Sequence, residues 1–121
     1  MTTARDIAET SLRLTKERDR AGWLALFAPD ASLEDPVGGG RHEGIDAITA
    51  FYDSTISQVE SFDYEVERSY VCGNEAAVVI RFAIEAAGMK LDMDAVNIYM
   101  ASPDGDHLQS LRSWWDGSRQ G

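Results

Sequence analysis

The chain has 121 residues, 44% of them apolar, with 21 acidic and 11 basic side chains for a net charge of −10. That is one globular domain's length and composition, residues 1–121, and the acidic balance excludes nucleic acid and anionic membrane as natural partners; it suits a neutral small molecule, or simply secures solubility. A lone cysteine, Cys72, excludes an internal disulfide and a cysteine metal cluster, and with no apolar leader and no run near the ~18 residues of a membrane span, a cytoplasmic protein is expected.

A first helix is expected from about Thr3 to Arg18, where Ile7, Leu12 and Leu14 stand among charges. Asp19 caps a second short helix carrying Trp23, Leu24, Leu26 and Phe27, with its end at Pro29. Ala31 to Asp35 reads as a short strand, and Pro36-Val37-Gly38-Gly39-Gly40 as a loop, because three glycines hold regular structure poorly. A third helix spans about Ile45 to Val59, with Ile45, Ile48, Tyr52 and Ile56 on one face. The period then changes. Phe62 to Cys72, Ala76 to Ala86, Met89 to Ala101 and His107 to Asp116 read as strands, joined by turns at Gly73-Asn74, Ala87-Gly88 and Pro103-Asp104-Gly105. Helices followed by hairpin-linked strands give an α+β fold with an antiparallel sheet.

On the third long strand, Met89, Leu91, Met93, Ala95, Asn97 and Tyr99 share one face. The other face begins with Lys90, Asp92 and Asp94 and becomes apolar at Val96, Ile98 and Met100. A sheet apolar on both sides needs cover on both. The helices cover one side, and a second copy of the chain is the natural cover for the other, so a homodimer is expected.

The segment Leu26 to Gly38, with Glu34-Asp35-Pro36-Val37-Gly38 its most specific part, resembles the start of the bacterial ketosteroid isomerases. Gly44 to Tyr52 is similar to that family's third helix, and Asp94 to Tyr99 and Ser113 to Asp116 to its last two strands. The resemblance implies a cone: a curved antiparallel sheet wrapped around three helices, with an apolar pocket at one end, as in the SnoaL-like and nuclear transport factor 2-like proteins. One such fold serves several activities.

Taken alone, Asp35 reads as a carboxylate capping the Pro-Gly loop. The resemblance makes it the catalytic base that carries a proton from carbon 4 to carbon 6 of a 3-oxo-Δ5 steroid. A carboxylate can accept the proton and return it within the pocket, and the apolar neighbour Leu33 favours a raised pKa. The dienolate formed in between needs donors on its oxygen, which the family supplies from a tyrosine and a protonated aspartic acid. Here Ser11 stands in the tyrosine's place and Asn97 in the aspartic acid's. The Asn97 amide donates at any pH, whereas the Ser11 hydroxyl is short and can bond a carbonyl one helical turn back. Tyr52 matches a supporting tyrosine of the family, and Tyr99 shares a face with Asn97; either phenol donates to a ligand or serves as a core aromatic. Trp115 matches a pocket-lining position and shares a face with Leu111 and Ser113; a core role remains open. Trp114 then faces the dimer side, and Trp23 reads as core.

His42 and His107 are isolated, so no metal site is expected, and proton transfer of this kind needs no cofactor. Arg81 lies opposite Ile80 and Phe82 in strand phase, toward solvent or interface and away from Asp35. These readings point to an isomerase for a ketosteroid or a similar flat enone. The alternatives are a SnoaL-like polyketide cyclase using Asp35 on another substrate, or a non-catalytic protein binding a small apolar ligand.

Overall fold

Helix α1 (Ala4–Glu17) starts at a capping box: the Asp6 N–H donates to the Thr3 hydroxyl at 3.2 Å, and the Thr3 N–H to the Asp6 carboxylate at 2.9 Å. Its stripe of Ile7, Ala8, Leu12 and Leu14 is buried, and it closes at Arg18, which adopts the left-handed conformation with φ 58°. These features come from a computed structural model that describes residues 3–116. Helix α2 (Arg20–Leu26) is capped as expected, the Gly22 N–H donating to the Asp19 carboxylate at 2.9 Å. A Cβ at position 22 would lie 2.5 Å from that carboxylate, which is why glycine stands there.

Several boundaries differ from expectation, the last strand among them, which ends at Trp114 and leaves Trp115 just beyond it. Helix α2 ends at Leu26, and Phe27 already belongs to strand β1 (Phe27–Glu34), so Pro29 lies inside a strand. The pairing of β1 shifts register between Phe27 and Ser32, and a proline at such an irregularity costs no regular ladder bond. After the loop comes a short edge strand, β2 (Arg41–Glu43), which the sequence pattern did not signal. Helix α3 (Ile45–Ser54) stops before Val59 and passes into a single 3₁₀ turn at Ile56–Gln58. The Thr55 hydroxyl donates to the Phe51 carbonyl at 2.6 Å and Ser57 to that of Asp53 at 2.5 Å. Such side chains compete with backbone N–H groups for helix carbonyls. Arg20 clamps α2 to α3 through both oxygens of Asp53, at 2.8 and 2.9 Å.

Four long strands follow: β3 (Ser61–Cys72), β4 (Glu75–Ala86), β5 (Met89–Ala101) and β6 (Leu108–Trp114). The curved, unclosed sheet has the order β2-β1-β6-β5-β4-β3. Its hairpin neighbours are antiparallel as expected, but β1 runs parallel to β6. Hairpins force antiparallel direction only on consecutive strands, and β1 meets β6 across most of the chain.

The helices lie against the concave face, and strand alternation decides what they meet there. Ala95, Asn97, Tyr99 and Ala101 of β5 are buried on that face. Asn97 sits between Val78 and Ser113 in register, and Tyr99 between Ala76 and Leu111. Trp23, Leu33, Ile48, Ile80 and Leu108 are almost wholly buried, each contributing about 1.5–3 kcal/mol by leaving water. On the convex face, Val79, Val96 and Trp114 form one row and Ala77, Ile98 and Arg112 the next. Val96 and Trp114 stay 38% and 39% exposed, and the Arg112 guanidinium stacks on Trp114 at 4.8 Å. No helix among the described residues is long and apolar enough to cross a membrane.

Candidate active site

The concave face and the helices do not fill the space between them. They leave a cavity of about 360 Å³ with mostly apolar walls, including Leu12, Trp23, Leu33, Phe51, Phe82 and Met93. Glu34 closes β1 and Asp35 follows it in the bend that leaves the strand, and their side chains go to opposite sides. Glu34 turns out to Arg112 at 3.1 Å and the Gly38 N–H at 3.2 Å. Asp35 turns into the cavity beyond Leu33. The apolar surroundings push its carboxyl above the usual carboxylate range, opposed by a bond from Trp115 and by nearby His42. That bond runs from the Trp115 indole N–H to Asp35 Oδ1 at 2.5 Å. It engages one carboxylate oxygen, and no hydrogen bond to Oδ2 is made among the described residues. The Asp35–Pro36 peptide is cis.

On the β5 wall, the Asn97 amide donates through Nδ2 to the Tyr99 hydroxyl at 3.0 Å. Because the phenol oxygen accepts this bond, its own proton is available for another acceptor. Burial pushes the Tyr99 phenol far above its ordinary range, and the Asp35 charge adds to the effect, so it stays a neutral donor beside the carboxylate. Asn97 Oδ1 is buried without a hydrogen-bond partner among the described residues, an arrangement costing about 1–3 kcal/mol. Such unsatisfied groups in a native fold call for an explanation, and because Oδ1 only accepts, a donor group on a bound ligand provides one, while the second Nδ2 hydrogen serves a ligand oxygen.

The structure gathers most of the expected residues around this space. Asp35, Asn97, Tyr99, Leu111, Ser113, Trp115 and Ser11 all line it. Ser11 is buried, and its backbone carbonyl accepts from the Thr15 hydroxyl at 2.9 Å. Tyr52 does not line the cavity: it is buried behind Trp23, with ring centroids 5.2 Å apart, and so supports the wall. Trp23 is core, as expected, and wall as well. Arg81 lies within 3.8 Å of the carboxylates of Glu67 and Asp94 on the convex side, away from Asp35. Among the described residues no group of His, Cys, Asp and Glu is placed to hold a metal ion. The sequence reading passed over Arg18, Phe51, Phe62, Phe82 and Met93, all of which line the cavity. The inward phase of β5 was the available signal for Met93, and that of β4 for Phe82; for the others only tertiary packing reveals it.

This geometry coincides with a family match over residues 8–106, to the SnoaL-like domain. The chain belongs to the SnoaL-like family. The chain is also 33% identical over 95 residues to the steroid Delta-isomerase of Nocardioides simplex, an alignment covering 78% of this chain and 75% of that one. The Δ5-3-ketosteroid isomerase structure from Mycobacterium sp. superposes with a TM-score of 0.85 at 25% identity, covering 96% of this chain and 95% of the other. RV0760c of Mycobacterium tuberculosis, solved with estradiol-17beta-hemisuccinate, gives a TM-score of 0.86 at 26% identity, over 96% and 95% of the two chains. The SnoaL-like fold expected from the sequence is therefore the observed one, with the parallel β1–β6 pair as its main departure from the simple hairpin picture.

Proposed function

We propose that this SnoaL-like protein is an isomerase that shifts a double bond in a 3-oxo-Δ5 steroid or a similar flat enone. The observation that carries this reading is the pairing of Asp35, held by Trp115 inside an apolar cavity, with the Asn97–Tyr99 donor pair on the β5 wall. Asp35 Oδ2 takes the proton from carbon 4, and the electron pair moves onto the carbonyl oxygen to form a dienolate. The Asn97 amide and the Tyr99 hydroxyl hold that oxygen. Asp35 then returns the same proton to carbon 6, the double bond moves into conjugation, and the protein is unchanged. Tyr99 thus fills from β5 the donor role that Ser11 is too short to fill from α1. Tyr52 acts by bracing Trp23.

The similarity to a steroid isomerase, and to a neighbour solved with a steroid ester, supports a flat apolar ligand. The reaction draws on no group beyond these side chains. We also propose that the convex row of Val79, Val96 and Trp114 is covered by a second copy of the chain. Sedimentation at micromolar concentration tests this, and a monomer refutes it.

The test of activity is the rise of conjugated-enone absorbance on adding the protein to 5-androstene-3,17-dione, beside Asp35→Asn. Turnover by the wild type and its loss in the variant support the isomerase. Steroid binding without turnover in either protein favours a binding protein instead. The SnoaL-like cyclases make cyclisation of a polyketide the remaining enzymatic reading, and failure of both turnover and steroid binding favours it.

A further inference from the structure

Arg18 terminates helix α1 through its backbone, and that role leaves the choice of its side chain unexplained. Its backbone is left-handed at φ 58°, a conformation usually given to glycine or asparagine at a helix end. Its N–H closes α1 by bonding the Leu14 and Thr15 carbonyls. Its side chain lines the same cavity as Asp35. A bulky residue held at positive φ beside a ligand-sized space points to a role for that side chain.

The electrostatics strengthen the case. Nearby cations are each matched: Arg13 with Glu17 at 3.1 Å, Lys16 with Asp63 at 3.0 Å and Arg20 with Asp53 at 2.8 Å. Arg18 instead donates to two backbone carbonyls, Val59 and, at 3.2 Å, Glu60, and forms no ion pair among the described residues. The Glu60 carboxylate turns to the Gly88 N–H at 2.8 Å. Two of the five guanidinium donors are used to fix the group, and the others remain. In a chain of net charge −10, an unmatched cation at a cavity is conspicuous.

Arg18 also stands at the end opposite the Asn97–Tyr99 pair. The Arg18 and Lys16 contacts bring the end of α1 to Val59, Glu60 and Asp63, where β3 begins. There Ser61 pairs with Glu85, and Ala86 pairs with Met89 at the start of β5. Leu91 lines this end and Asn97 the other, six residues along one strand, or about 20 Å. A fused-ring ligand fits lengthwise between them.

We propose that Arg18 binds the far end of the ligand, and that the ligand class is a flat apolar molecule bearing a carboxylate remote from its reacting enone. The orientation rests on the isomerase reading, in which the carbonyl oxygen sits at Asn97 and Tyr99. Arg18 is exposed, so its contribution is a moderate, salt-sensitive preference.

The test follows quenching of intrinsic tryptophan fluorescence with estradiol, estradiol hemisuccinate and the methyl ester of that hemisuccinate. Wild type, Arg18→Gln and Arg18→Lys are compared, with Tm measured alongside. The wild type is expected to bind the hemisuccinate about three- to tenfold more tightly than its methyl ester, with the gap shrinking in high salt. Arg18→Gln should bind acid and ester alike with its affinity for estradiol kept, and Arg18→Lys should retain part of the preference. Equal binding of acid and ester by the wild type, or an unchanged preference in Arg18→Gln, overturns the proposal and leaves the isomerase untouched. If none of the three binds, the steroid pocket and this proposal both fall. Absence of isomerisation with these preferences intact breaks the isomerase reading and the enone orientation with it, and leaves only the contact of Arg18 with a ligand carboxylate standing.

Discussion

Glu34 and Asp35 are neighbours in the chain and opposites in the fold. Glu34 points to the convex side, where the Gly38 N–H and Arg112 hold its carboxyl below the usual range. Asp35 points to the concave side, where burial holds its carboxyl above it. One peptide step past the end of a strand thus separates a carboxyl held toward its anion from one held toward its acid form. The difference comes from which face each occupies, because a hydrogen-bonded, ion-paired carboxylate is stabilised as the anion and a desolvated one as the acid.

The sharpest way to break this comparison is to neutralise each residue in turn. Asp35→Asn should lower isomerase kcat/KM by about 10²–10⁴-fold, the usual scale for a positioned base. It should also raise Tm at neutral pH. A group whose folded pKa lies above its unfolded value favours the fold fully only below the unfolded value, and that favour is lost as pH rises through the folded one. Removing the ionised Asp35 above that window therefore relieves a cost. A lower Tm would show that the Asp35 charge is matched in the fold.

Next in size are the donors across the cavity. Tyr99→Phe and Asn97→Leu should each reduce kcat by about 10²-fold or more, on the scale of a lost oxyanion donor, while binding of an apolar ligand falls much less. Because the two side chains are bonded to each other, the double variant should lose less than the product of the single losses. Full additivity would mean that they act on different atoms of the ligand.

A smaller effect is expected from Trp115→Phe. Its indole lowers the Asp35 pKa, so removing it should move the acid limb of the kcat/KM–pH profile to higher pH. The limb itself should lie above the ordinary Asp value of 3.8, since the base must be ionised to work. A limb that stays put in the variant would assign it to another group.

Glu34→Gln should change activity least, with kcat/KM close to wild type. Its cost is to stability, with the opposite sign to Asp35. The contribution of Glu34 is present above its unfolded pKa and fades as pH falls through the lowered folded value, so wild type and variant should converge in acid. A large loss of activity in Glu34→Gln would erase the distinction between the two neighbours.

Much of this was legible before any coordinates. The change from helical to alternating period, the Thr3 and Asp19 starts and the glycine-bearing turns are local signals, and local backbone preference answers to them. The inward set Met93, Ala95, Asn97 and Tyr99 was readable because a strand's period of two survives whatever it packs on. The helix ends after Leu26 and Ser54 were less so, since neighbouring register and hydroxyl–carbonyl competition shifted them. Asp35 and Asn97 were reachable as candidates through resemblance, not through any local pattern.

Sequence by itself determined the three helices, the strands other than β2, their order and the inward phase of the long strands, because each depends on residues a few positions apart. Tertiary structure alone decided the parallel meeting of β1 with β6, the retreat of Tyr52 behind Trp23 and the arrival of Arg18 at the cavity. It also decided that Trp115, eighty positions downstream, holds Asp35. Those are contacts between segments far apart in the chain, and the electric field and burial that set the pKa of Asp35 are sums over such contacts, which no short stretch of sequence contains.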